Sequence, residues 1–117
     1  MTPRLKLLVL RAADLSRSHD FYTCIGLDLQ LEQHGAGPQH YACEMEGFVV
    51  EIYPARSTDE KNAGGMLGFE VASLAPVLHG LAAMGVVPKQ ALLMLPHGLR
   101  VLVQDLDGRT VELVQPN

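Results

Sequence analysis

The sequence has 117 residues, of which 48% are hydrophobic, so it is long enough for one domain with its own core. The formal net charge is -4 and the basic residues do not cluster, which argues against nucleic-acid binding. No apolar run approaches the roughly eighteen residues that span a membrane, so no membrane partner is expected. Two cysteines without metal or redox spacing, and no signal segment, indicate a cytoplasmic protein.

The first half of the chain predicts a strand, a helix and three more strands. Asp14 or Ser16 can cap the helix at its start, and Gly26 can end it in a left-handed conformation. The last two strands form a hairpin around a tight Glu46-Gly47 turn. The predicted elements are a strand at 5–12, a helix between Asp14 and Gly26, and strands at 27–31, 40–45 and 48–53.

The second half repeats this order of elements. Residues 66–86 align with residues 7–27 without a gap, and in this alignment Gly85 meets Gly26. The predicted elements are a strand at 66–71, a helix between Ser73 and Gly85, and strands at 90–95, 99–104 and 110–115. The chain is therefore predicted to be an α+β domain with two βαβββ modules, 4–54 and 66–116, joined by a linker at 55–65.

Alternation along each strand assigns its side chains to two faces of the sheet. Val50 and Ile52 are bulky and should pack under the first helix, which leaves Glu51 on the opposite face. A two-residue hairpin turn places Ala42 across from Glu51, so His40 shares that face. The faces turned away from the helices then carry Leu7, Val9, Arg11, Val49 and Tyr53 in the first half, and Met66, Gly68, Glu70, Arg100, Leu102, Gln104, Thr110 and Glu112 in the second.

Two curved sheets with such mixed faces are expected to enclose a cleft for a small molecule. The predicted ligand-binding residues are Leu7, Val9, Arg11, Tyr53, Met66, Glu70, Arg100 and Leu102. Arg11 and Arg100 are suited to clamping an anionic ligand, but they could equally pair with Glu51, Glu70 or Glu112 across the cleft.

Three of these inward residues are candidates for chemistry. Glu51 and Glu112 could serve as an acid/base pair or as metal ligands, and His40 as a base or a replacement ligand. The alternative is that both glutamates only position a ligand and that His40 lines the rim. The remaining histidines are assigned to a turn near the cleft (His97) or to the surface (His19, His34, His79), and Cys24 and Cys43 to inert buried positions.

Two motifs resemble a known family. The first runs through Ala13-Asp14-Leu15, Phe21-Tyr22 and Gly26-Leu27, and the second through Asp105, Asp107-Gly108 and Glu112-Leu113. Together with the βαβββ repeat they resemble the vicinal oxygen chelate superfamily, which includes glyoxalase I, bleomycin-resistance proteins, fosfomycin-resistance enzymes and extradiol dioxygenases. The resemblance covers nearly the whole chain and implies a homodimer.

In metal-using members of that family, the metal ligands come from the first and the closing strand of each module. The resemblance implies that the matching positions in this chain are Leu7 and Met66 on the first strands and Glu51 and Glu112 on the closing strands. Leucine has no lone pair and a thioether is a weak donor, so no metal cofactor is expected; a divalent ion, if bound, would use Glu51 and Glu112. The resemblance then favours a metal-free small-molecule-binding protein of the bleomycin-resistance type. The alternatives are a metal-dependent lyase, isomerase or dioxygenase using Glu51, Glu112 and His40, and a non-enzymatic interaction module whose pocket is filled by its own side chains.

Overall fold

The computed structural model describes residues 1–57, 59–60 and 64–117 and has the predicted α+β architecture, with two four-stranded mixed sheets and two helices. The elements are β1 (Leu7–Ala12), α1 (Leu15–Ile25), β2 (Gln30–Glu32), β3 (His40–Met45), β4 (Phe48–Pro54), β5 (Met66–Glu70), α2 (Leu74–Ala83), β6 (Leu93–Leu95), β7 (Gly98–Gln104) and β8 (Thr110–Pro116). The longest helix has 11 residues, and no helix within the described ranges could cross a bilayer.

The two sheets have the same topology. Their strand orders are β1-β4-β3-β2 and β5-β8-β7-β6, and in each sheet the first strand runs parallel to the closing strand while the other pairs are antiparallel. The predicted register of the first hairpin is correct, since Ala42 lies opposite Glu51. In the second hairpin Leu102 lies opposite Glu112, so these two residues share a face as predicted. The parity of side chains along these strands is therefore as the sequence predicted.

The two helices begin in different ways. The Asp14 side chain accepts a hydrogen bond from the Arg17 backbone N–H at 3.0 Å, so Asp14, one of the two predicted candidates, caps α1. Ser73 occupies the predicted cap position of α2, but within the described residues its side chain makes no capping bond. The amide oxygen of Gln115 replaces it and accepts from the Leu74 N–H at 2.8 Å. The last strand of the second half thus caps its own helix.

Two short strands differ from the prediction. The strand expected at 27–31 covers Gln30–Glu32, because Leu27 and Leu29 are buried in the core and do not pair in the sheet. The strand expected at 90–95 is limited to Leu93–Leu95. Both are edge strands of three residues, too short for side-chain alternation to locate. Part of the predicted 55–65 linker, residues 58 and 61–63, lies outside the described residues.

A cluster of buried charges joins the two halves of the chain. Asp105 in the β7–β8 turn accepts hydrogen bonds from the Tyr22 hydroxyl on α1 at 2.6 Å and from the Arg109 guanidinium at 2.7 Å. Asp107 in the same turn accepts from the Ala13 backbone N–H at 2.9 Å. Burial, reinforced by the Asp105 carboxylate, raises the pKa of Tyr22. The closing turn of the second half is therefore fixed against the first helix, and both helices share one core.

Candidate functional site

The side of each sheet away from the helices is open to solvent. On the first sheet, a hollow of about 480 Å³ is lined by Asp28, Gln30, Glu32, Ala42, Cys43, Glu44, Val49 and Glu51. On the second sheet, a hollow of about 290 Å³ is lined by Gly68, Phe69, Glu70, His97, Glu112 and Val114. We call them the first hollow and the second hollow. Among the described residues that line them, the two hollows have none in common.

The first hollow is acidic. Four of its lining residues carry carboxylates, Asp28, Glu32, Glu44 and Glu51, and among the described residues that line it there is no lysine or arginine. A surface of this charge attracts cations and groups that donate hydrogen bonds.

His40 lies at the inner wall of the first sheet face and not at a rim. It is 1% exposed, and its ring stacks on Tyr53 with the centroids 4.1 Å apart and the planes 8° from parallel. Its Nε2 atom lies 3.4 Å from Glu51 Oε2 and 3.5 Å from Glu32 Oε1. The structure thus joins His40 to Glu51, as the strand parity required, and adds Glu32 from the neighbouring edge strand.

Arg11 contacts a residue of the linker. Its guanidinium lies over the Tyr53 ring, 5.0 Å from the centroid, and its Nε is 3.2 Å from Glu60 Oε1. Glu60 also receives hydrogen bonds from Arg56, which lower the pKa of Glu60 to about 2. Glu60 was not among the partners that the sequence suggested for Arg11, because a residue between the halves gives no strand pattern that would place it.

In the second sheet, Arg100 pairs with Glu112. The Arg100 Nε donates to Glu112 Oε2 at 2.8 Å, and both side chains are partly buried. This is one of the two roles the sequence left open for Arg100. Glu70 and His97 line the same hollow, and Leu102 lies opposite Glu112 on the neighbouring strand.

A third hollow lies between the two sheets. It has a volume of about 370 Å³ and is lined mainly by aliphatic side chains of β1 and β5, including Val9 and Met66. Met66 is 54% exposed, so the chain alone leaves apolar surface open in this hollow, and Leu7 at the start of β1 is 51% exposed.

Comparison with known proteins identifies the fold. No protein-family model matches the sequence, and no curated protein is significantly similar to it. Solved structures do match over nearly the whole chain. A glyoxylase/bleomycin resistance protein/dioxygenase domain from Frankia sp. EAN1pec superposes with a TM-score of 0.66 at 24% identity, covering 100% of both chains.

The chain has the fold of the vicinal oxygen chelate superfamily. Two other matches show the range of proteins with this fold. TnmS3, an antibiotic binding protein from Streptomyces sp. CB03234, has a TM-score of 0.66 at 20% identity and covers 99% of this chain and 98% of its own. Oxidase ChaP-H2 has a TM-score of 0.75 at 15% identity, with 100% and 96% covered. At such identities the likeness concerns the fold, and the site must be interpreted from this chain's own residues.

The metal position that this superfamily implies does not fit the residues present. Leu7 and Met66 stand at the two first-strand positions and offer no suitable donor. The two carboxylates at the closing-strand positions, Glu51 and Glu112, lie in different hollows, and Glu112 is already paired with Arg100. The structure therefore gives no basis for a metal held jointly by these four positions of one chain.

Sequence reasoning missed two polar residues near His40. Glu32 was placed after the end of the second predicted strand, but it pairs with His40 across β2 and β3. His34 is exposed, as predicted, and its Nε2 is 3.5 Å from Glu32 Oε1. A signal did exist in the sequence, since Glu32 and His34 are two residues apart and precede a strand that begins with His40. It was not recognised because β2 was placed too early in the chain.

Proposed function

We propose that the protein binds a small, largely apolar organic molecule and that two copies pair to enclose it, without a metal at the four positions shared by metal-using members of the superfamily. The observation that carries this proposal is the hollow between β1 and β5, which is lined mainly by aliphatic side chains and in which Met66 stays 54% exposed. Aliphatic surface beside a few convergent polar groups is the usual composition of a ligand site.

The exposed apolar side chains support both parts of the proposal. Burying the open half of Leu7 or Met66 would contribute about 1 kcal/mol each, at about 25 cal/mol per Å² of apolar surface. Leu93 and Met94 on the edge strand β6 are also exposed, at 49% and 80%. An exposed apolar edge strand is a site at which another chain can pair, and a second copy that paired there would bury these two side chains. One solved structure with this fold, TnmS3, is an antibiotic binding protein, which is consistent with such a ligand.

The metal-dependent enzyme is the second candidate, and one contact favours it. His40 and Glu51 lie together, but Glu112 belongs to the second hollow. A centre containing all three residues would require the first hollow of one copy to face the second hollow of its partner. The catalytic roles of these residues therefore remain predictions.

The binding proposal is tested by a thermal-shift screen of aromatic antibiotics and apolar metabolites, run in buffer containing EDTA so that any effect is independent of metal. A ligand at 100 times its Kd stabilises the folded state by about 2.7 kcal/mol. For a chain of this length that corresponds to a rise in Tm of roughly 10 °C.

Two matched variants locate the effect. Met66→Glu places a charge in the aliphatic hollow and should abolish the shift produced by any hit, whereas Val87→Glu, at an exposed position in the loop after α2, should preserve it. If no compound raises the Tm, or if hits act equally on Met66→Glu, the proposal is wrong. Light scattering during size-exclusion chromatography tests the pairing, and a monomer at ligand-binding concentrations would contradict it.

A further inference from the structure

We propose that the first sheet carries a transition-metal site of its own, formed by Glu32, His34, His40 and Glu51, with a chemistry suited to Zn²⁺. One donor atom from each of these residues lies within 4.8 Å of the others. Only Glu51 is shared with the four positions of the superfamily, so this site is different from the one that Leu7 and Met66 exclude. It is also independent of the proposed small-molecule ligand, and either proposal can fail alone.

The tautomer of His40 points to a metal. Its Nδ1 lies 3.2 Å from the Pro38 carbonyl oxygen, which can only accept, so Nδ1 carries a proton. In the neutral ring, Nε2 then presents a lone pair. Histidine ligands in proteins usually donate their other ring N–H to a carbonyl or carboxylate in this way, which fixes the ring for coordination. Stacking on Tyr53 holds the ring in the same orientation.

The Nε2 atom of His40 is buried and, within the described part of the chain, has no hydrogen-bond partner. It is aimed at oxygens of Glu32 and Glu51, and a lone pair facing two carboxylates is unfavourable unless a cation lies between them. A buried polar atom left unsatisfied in this way costs about 1–3 kcal/mol. A bound metal ion would remove that cost.

The distances match coordination better than a direct ion pair. If Nε2 were protonated, a charge-assisted bond to either carboxylate would be about 2.7–2.9 Å long. The observed separations are 3.4 Å to Glu51 and 3.5 Å to Glu32, and His34 Nε2 is likewise 3.5 Å from Glu32 Oε1. Donors about 2.0–2.2 Å from a tetrahedral zinc ion lie about 3.3–3.6 Å from each other. Three donor pairs of the cluster therefore already have the spacing of a tetrahedral site.

The donor set and its surroundings define the class of ion. Two imidazoles and two carboxylates suit Zn²⁺ or a similar first-row metal better than Mg²⁺ or Ca²⁺, which prefer oxygen ligands alone. The other carboxylates of the first hollow, Asp28 and Glu44, add negative charge along the approach. His40 is buried while His34 is exposed, so an ion can enter from the hollow and His34 can close over it.

Titration of the chelator-stripped full chain, free of any histidine tag, with ZnCl₂ and with CoCl₂ tests the site. We expect one equivalent of Zn²⁺ to bind with release of protons, and Co²⁺ to give the intense visible absorption of a tetrahedral complex. His34→Ala and Glu32→Gln, both at exposed or half-exposed positions that should not disturb folding, should each weaken binding at least about tenfold. His79→Ala, on the exposed face of α2, is the matched control and should bind as the wild type does.

The variants also distinguish binding at these four residues from non-specific binding of the metal to the protein surface. Failure to bind one equivalent of Zn²⁺ would overturn the proposal, and so would binding that is unchanged in both His34→Ala and Glu32→Gln. Octahedral Co²⁺ spectra together with undiminished affinity in the variants would show surface binding only. Because the small-molecule screen is run in EDTA, its result does not depend on this outcome.

Discussion

The buried Arg109 should be one of the costliest residues to replace in the chain. Arg109 is 2% exposed, and its Nη1 lies 2.7 Å from Asp105 Oδ2 and 3.7 Å from Asp107 Oδ2, with both carboxylates equally buried. Arg109→Met keeps most of the side-chain volume but removes the positive charge. Two carboxylates would then remain in the interior with their charge no longer compensated.

The expected loss can be estimated from this burial. Removing one partner of a buried ion pair costs about 3–5 kcal/mol, a large part of the roughly 5–15 kcal/mol that stabilises a domain of this kind. With an unfolding entropy of about 2.1 cal/mol/K per residue, a loss of 1 kcal/mol lowers the Tm of this chain by about 4 °C. Arg109→Met should therefore melt roughly 12–20 °C below the wild type. Urea unfolding should show a lower midpoint with an unchanged slope.

The chain contains a matched control for this measurement. Arg56 and Glu60 form an ion pair with the same four-residue separation and the same 2.7 Å distance as Arg109 and Asp105, but the Arg56 side chain is 76% exposed. Arg56→Met should leave the Tm almost unchanged, because solvent screens an exposed pair. Adding Asp105→Asn to Arg109→Met should restore part of the loss, since one buried charge is then removed. If Arg109→Met melts within a few degrees of Arg56→Met, burial does not determine the contribution of this pair and the reasoning is refuted.

Three further predictions concern other parts of the fold. Because the pKa of Tyr22 is raised in the folded state, above its usual value of 10.0, the unfolded chain loses this proton first, so the free energy of unfolding should fall as the pH rises above 10. Urea melts between about pH 9 and pH 11 should show a smaller decline for Tyr22→Phe, and equal declines would contradict the assignment. In Gly98→Ala the added Cβ would lie 2.2 Å from the Gln115 carbonyl oxygen, at a residue whose φ is 149°. This should lower the free energy of unfolding by about 1–3 kcal/mol or more. Gly65→Ala, with open space beside the new Cβ, is the control and should be close to neutral in the same melts. Asp14→Ala should cost about 1 kcal/mol through the lost cap of α1, and a melt superimposable on the wild type would show that the cap contributes nothing.

The sequence predicted those parts of the fold that depend on local periodicity. The parity of β4 put Glu51 and His40 on one face, and alternation along the last two strands put Leu102 and Glu112 on one face. Short edge strands have too few residues for such a pattern, so β2 was misplaced and Glu32 was missed with it. The contact of Glu32 with His40 depends on the register between β2 and β3, so it was missed together with the position of β2.

The contacts between the two halves could not be predicted. The sequence indicated no partner in the first half for Asp105, because Tyr22 lies 83 residues away from it in the chain. No periodicity within either half contains that information. The separation of the hollows has the same origin, since it depends on how the halves are docked and not on how each one folds.

The hairpin turns of the two repeats differ in length, so one repeat cannot make the contacts of the other. In the first repeat the turn has two residues, Glu46 and Gly47, whereas its counterpart at 105–109 has five and reaches into the opposite half. A protein made of two copies of the first repeat would lack the hydrogen bonds that the 105–109 turn makes to the other half. Its two halves should then fold without being held together. The two repeats therefore differ in role: the first carries the acidic hollow, and the second supplies the turn whose Asp105 and Asp107 bind the first half.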